Sequence, residues 1–301
     1  MKKLPSFSFT KHFKLFAAIS ILLVSLGLVS LILLPFKIYL FNLDIDFLGG
    51  VTMQVDLERP VDSDVTSEVR EIVRNVTGSY PSAVTKAGDT EVQIKTLELD
   101  SETRDALFQQ LSQTYGLSEG NQPSTSYVSA SVGKDLRSAA FSAAGLACLL
   151  ILIYIVIRFE LRSGIAAIVA LVHDILVMLS MYVVFQIPFN INFIAVALTI
   201  LGYSINATIV VFDRVRENRK ISGDTPFDEV MDRSIWQTMT RSINTTITTL
   251  FTIVTILIFG VSAIRSFALP LLIGVLSGCY SSVCIAGPVW SKLRKIGKKA
   301  A

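Results

Sequence analysis

The chain has 301 residues, 51% of them hydrophobic, and a mean hydropathy of +0.58. That balance excludes a soluble globule and implies a membrane protein. The net charge of +3 comes from short clusters that flank apolar segments, so it gives no reason to expect nucleic acid as a partner.

A membrane span needs about 20 mostly apolar residues. The first segment that qualifies, residues 15–36, follows Lys2, Lys3, Lys11 and Lys14. It is longer than a signal-peptide core and has no small-residue cleavage site. It therefore reads as a retained anchor behind a cytoplasmic N-terminus of residues 1–14.

Residues 37–131 read as one small extracytoplasmic domain. Val51, Met53, Val55 and Leu57 alternate with polar neighbours, which predicts a half-buried strand. Val65, Val69, Ile72, Val73 and Val76 form a helical stripe, begun by the acids at 62 and 64 and stopped near Gly78. A weaker strand follows around residues 82–85, and Val92 and Ile94 mark a third. Leu107, Phe108, Leu111 and Tyr115 predict a second amphipathic helix, capped by Asp100 or Ser101 and closed at Gly116. A last strand near residues 124–129 leads back to the membrane. The order β-α-β-β-α-β is the ferredoxin-like pattern, here a small α+β binding or docking module with no catalytic constellation.

Five more spans are predicted, at residues 138–159, 164–185, 191–212, 242–261 and 267–289, within a bundle covering 132–289. With six spans, the N-terminal lysines, Arg158 and Arg162, the loop of about 214–233 and the basic tail 290–301 all fall on one side. Acids outnumber bases in the domain on the other side. The bias puts both termini in the cytoplasm of a multi-pass membrane protein. The stretch from Pro226 to Ile235 reads as a short amphipathic helix on the membrane surface or as a solvated connector. Cys148, Cys279 and Cys284 all lie in spans and lack ligand spacing, so no metal and no disulfide are predicted. No metalloprotease motif, phosphate loop or nucleophile pair is present, so the chain is read as no enzyme and without a cofactor.

Polar groups inside spans normally face a bundle interior or a wet cavity. In span four, Thr199, Asn206 and Asp213 are spaced by seven and share a helix face. In span five, Arg241, Thr245, Thr248, Thr252 and Thr255 form a second stripe, with Asn244 beside Arg241. The threonines can satisfy themselves on their own helix carbonyls; Arg241 wants a partner. A carboxylate at position 207 would lie at a matching depth, but the residue there is Ala207. Asp174 lies well inside span three after His173, either as a functional carboxylate or as a structural group bonded to a neighbouring helix. Span six carries Gly274 and Gly278 with Ser277, Ser281 and Ser282, a spacing that suggests close helix contact. Pro270 and Pro288 are expected to bend or end that helix. Together these residues place a polar seam between spans three, four and five.

Several of these segments resemble one family. Asp46-Phe47-Leu48-Gly49-Gly50 is similar to its D-F-x-G-G signature, with Leu48 where Thr is usual. Val132-Gly133-Lys134 with Leu136-Arg137 resembles its approach to span two, and Val172-His173-Asp174 its span-three motif. Gly202-Tyr203-Ser204-Ile205-Asn206, Val210-Val211-Phe212-Asp213-Arg214 and Glu217-Asn218 resemble its span four. Arg241-Ser242-Ile243-Asn244-Thr245-Thr246 resembles its span five. On these motifs the chain is identified as a member of the SecD/SecF family, on its SecF side, within the resistance-nodulation-division superfamily.

The resemblance implies a SecF-like subunit in a bacterial inner (plasma) membrane. It would pair with a SecD-like subunit into a twelve-span unit and assist export of unfolded preprotein through the SecYEG translocon, alongside YajC and membrane lipids. Proton or sodium motive force would drive it. The implied relay residues are Asp174, Arg241, Asn206, Asn244 and Asp213, with Ala207 at the position where the family usually has Asp. Three explanations of Ala207 stay open: a substitution made to trap a state, natural loss of coupling in this half, or transfer of the role to Asp174 and a partner carboxylate. The alternatives are a non-transducing scaffold in the same complex and a lipid or drug exporter of the superfamily.

Overall fold

The computed structural model describes residues 7–33, 36, 40–97, 99–118, 120–128, 130–260 and 262–299. In chain order the apolar helix α1 (Phe13–Leu33) comes first, followed by a single helical turn, α2 (Ile45–Leu48), capped by the Asp44 carboxylate. Next are β1 (Gly50–Asp56), α3 (Ser63–Thr77), β2 (Ala83–Lys86), β3 (Glu91–Thr96), α4 (Ser101–Tyr115) and β4 (Ser124–Val128). The helices α5 (Ala130–Arg158), α6 (Leu161–Val184), α7 (Asn192–Ile221) and α8 (Phe227–Phe259) follow. Then α9 (Ser262–Ser281) runs through a π-helical stretch, Ser282–Ala286, into α10 (Gly287–Lys299). Among the described residues, six helical segments are long and apolar enough to cross a membrane.

The strands form one antiparallel sheet in the order β2-β3-β1-β4, which with its connections is the ferredoxin-like arrangement. Local chemistry sets the helix ends. Asp62 accepts from the Asp64 and Val65 N–H groups and Asp100 from Thr103, while Gly78 and Gly116 close α3 and α4 in left-handed conformations. Val55, Val69, Val73, Val92, Leu107 and Leu111 are fully buried between sheet and helices. Each such side chain stabilises the domain by about 1.5–3 kcal/mol.

The membrane helices differ from the sequence expectation mainly at one end. The expected loop of about 214–233 shrinks to residues 222–226, because α7 continues to Ile221 and α8 already begins at Phe227. The stretch 226–235 is therefore the start of a 33-residue helix, not a separate surface helix. Residues 290–299, the start of the expected basic tail, continue the last helix. Hydropathy locates the part of a helix that lies in hydrocarbon. The helix itself continues as long as nothing breaks it, and no Gly or Pro occurs between Phe227 and Phe259. Pro270 sits inside α9 without ending it, and Pro288 follows the π-helical stretch. A proline cannot donate to the carbonyl four residues back, so a widened turn before it is the expected response. Residues 34 and 35 of the expected first span, 37–39 at the start of the expected domain and 129 at the end of the expected last strand lie outside the described residues.

Candidate functional site

Asp174 lies near the middle of α6 and is fully buried. Four polar side chains surround its carboxylate. Ser204 Oγ of α7 donates to Oδ2 at 2.5 Å, Ser281 Oγ to the same oxygen at 2.7 Å, and Ser277 Oγ of α9 to Oδ1 at 2.6 Å. His173 Nδ1 lies within hydrogen-bonding distance of Oδ1, at 3.0 Å. Neighbours on a helix ordinarily point apart, so this last contact goes beyond what spacing alone predicts. The imidazole is itself buried, 5.8 Å from the Tyr280 ring, and its Nε2 has no partner among the described residues.

The helices are brought this close by small residues. A Cβ on Gly278 would stand 3.2 Å from Ser204 Cβ, and one on Gly274 would overlap Ile200. The stretch Ser282–Ala286, wound as a π-helix, starts one residue after Ser281. Such widened turns recur at functional sites. Each hydroxyl here can donate to a carboxylate or turn and accept from a carboxylic acid, so the cage fits either protonation state.

The span-five residues are placed elsewhere. Asn206, Asp213 and Arg241 share an open groove of about 670 Å³ between α7 and α8. Asp213 is taken by Arg158, whose Nη2 lies 3.0 and 3.1 Å from its two oxygens. Among the described residues, Arg241 has no hydrogen-bond or ion-pair partner, and the Asn206 and Asn244 side chains do not reach it. Thr245, Thr248, Thr252 and Thr255 donate to carbonyls of their own helix and are exposed. Ala207 is half-buried.

The expected seam of spans three, four and five is thus divided. The buried polar centre joins α6, α7 and α9, whereas the stripe on α8 opens outward. The sequence reading assigned Ser277 and Ser281 to packing. Their spacing of four, on the same face as the glycines, was the signal that they converge on one acceptor.

A second buried carboxylate ties the small domain to the bundle. Asp44 caps α2, pairs with Lys95 Nζ of β3 at 2.9 Å and accepts from Asn190 Nδ2 at 3.3 Å. Around it Phe41, Phe47, Phe189, Tyr182 and Phe193 pack as one aromatic cluster. A Cβ on Gly50 would meet Thr96 O at 2.2 Å, and Gly49 holds a φ of +82°, so both glycines of the Asp46–Gly50 motif serve this junction.

Comparison with known proteins places these features in context. The family model "Protein export membrane protein SecD/SecF, C-terminal" matches residues 108–296. Protein translocase subunit SecF of Sebaldella termitidis is 38% identical over 86% of this chain and 84% of its own. The SecF of Acidaminococcus fermentans is 38% identical over 98% of this chain and 99% of its own. The SecDF of Bacillus subtilis is 37% identical over 97% of this chain. The crystal structure of SecDF from Thermus thermophilus, a translocon-associated membrane protein, superposes with a TM-score of 0.78 at 31% identity over 99% of this chain. This chain spans 39% of each of those two SecDF chains.

Proposed function

The chain belongs to the SecD/SecF family of protein-export membrane proteins, and from that membership we propose that it is the SecF-like half of a heteromeric SecD–SecF unit. In this reading it assists preprotein export at the SecYEG translocon, with both termini cytoplasmic and the ferredoxin-like domain outside. The ion gradient acts through Asp174. The observation that carries the reading is a fully buried carboxylate near the middle of a span-length apolar helix, held by hydroxyls from two other such helices. An intramembrane acid is costly to keep, and one whose ligands can both donate and accept is suited to taking up and releasing a cation. Motion follows if the cage is tighter in one charge state than in the other, because a ligand shifts an equilibrium only through differential affinity. A SecD-like bundle packed on α8 would supply polar cover for its exposed stripe and for Arg241, which has no partner among the described residues.

Ala207 favours a second reading, a scaffold that holds the partner without coupling to ions. Preprotein export by membrane vesicles carrying the intact complex separates the two. Asp174→Asn is expected to remove most of the gradient-dependent part of export while leaving the gradient-independent part. Equal gradient dependence in wild type and variant would establish the scaffold instead.

A further inference from the structure

The bundle end opposite the small domain carries a pocket of about 600 Å³ where the ends of α5, α7 and α10 meet. Five basic side chains line it: Arg158, Arg216, Arg219, Lys220 and Arg294. Two of its three acids are already committed. Asp213 is held by Arg158 and lies 3.6 Å from Arg216, and Glu217 is held at 2.6 Å by Arg214 from outside the pocket. Glu160 alone is outside an ion pair. Against it stand three cations without an acidic partner among the described residues. Arg219 donates to the Thr225 carbonyl at 2.9 Å, Arg294 lies over the Phe227 ring at 4.5 Å, and Lys220 has no partner. The pocket therefore has surplus positive charge, on an apolar floor that includes Trp290 and Phe227.

The surface beside the pocket points to its occupant. Val156 and Ile157 precede Arg158 and Leu161 follows Glu160, all strongly exposed, and Ile221 is 80% exposed next to Lys220. These side chains sit at the ends of membrane spans, where exposure means contact with acyl chains. The cations beside them are at headgroup level, where basic pockets between helices hold anionic lipid heads. We propose that this pocket binds the phosphodiester headgroup of an anionic phospholipid, with Lys220, Arg219 and Arg294 on the phosphate and the acyl chains against the apolar rim. A guanidinium donates two parallel hydrogen bonds to such a phosphate.

The test uses the full chain, purified in detergent and incubated with phosphatidylglycerol or phosphatidylcholine of identical acyl chains, with bound lipid counted by native mass spectrometry. Wild type is expected to retain phosphatidylglycerol about tenfold better than phosphatidylcholine. The preference should disappear in the double variant Lys220→Gln/Arg294→Gln and persist in Lys11→Gln/Lys14→Gln, which removes equal charge elsewhere on the same end. Lys220→Gln alone breaks no hydrogen bond or ion pair among the described residues and should weaken the preference several-fold, which guards against misfolding of the double variant. Equal retention of the two lipids, an equal loss in the control variant, or displacement of phosphatidylglycerol by millimolar inorganic phosphate would each overturn the proposal, the last by showing a site for free anions.

Discussion

At the scale of single residues, Asp174 was legible as an acid inside a span, but its surroundings were not. Sequence spacing shows which residues share a face of one helix; it does not show which faces of different helices meet. Ser204 sits between Tyr203 and Asn206 in a motif that drew attention to Asn206, yet Ser204 points at the carboxylate and Asn206 at the α7–α8 groove. Arg241 was legible as a cation in want of a partner, and no acid reaches it among the described residues. The cage makes a specific demand on Ser281. Replacing it by Ala removes one of two hydroxyl donors to Oδ2, leaves the other from Ser204, and should cost about 1–3 kcal/mol of stability. Chemical denaturation of the detergent-solubilised chain would measure this, with Ser282→Ala as the comparison. Among the described residues Ser282 donates only to the Cys279 carbonyl, so its loss should cost less.

At the scale of elements, the small domain followed from its pattern almost residue for residue. Asp62 and Asp100 start helices, Gly78 and Gly116 stop them, and alternation marks the strands. The membrane helices were less legible at their ends, because polar residues beyond the hydrocarbon do not interrupt a helix. The packing of α1 on α6 was not legible at all. Gly27 lies against the α6 backbone, where an added Cβ would stand 2.4 Å from Leu176 O, and its N–H donates to Ser180 Oγ at 2.8 Å. Gly27→Val should therefore push α1 off α6 and destabilise the chain by about 1–3 kcal/mol, seen as a lower unfolding midpoint. Gly145→Val, at a helical glycine with open space around it, should leave the midpoint nearly unchanged.

At the scale of the whole molecule, two buried carboxylates mark the two places where a signal would have to pass. Asp174 joins three membrane helices, and Asp44 joins the sheet to the turn between α6 and α7. Helix α6 contains Asp174 and ends at that turn, so one element connects both points. A shift of α6 on a change of charge at Asp174 would reach the domain through Phe189 and Asn190. The proposed coupling between an ion gradient and movement of the domain would require α6 to have two arrangements that both sites bias. The most direct measurement is ion flux through the chain reconstituted in liposomes with its SecD-like partner, under an imposed proton or sodium gradient. Wild type should carry a flux that falls to background in Asp174→Asn, and a variant that conducts at the wild-type rate would contradict the account.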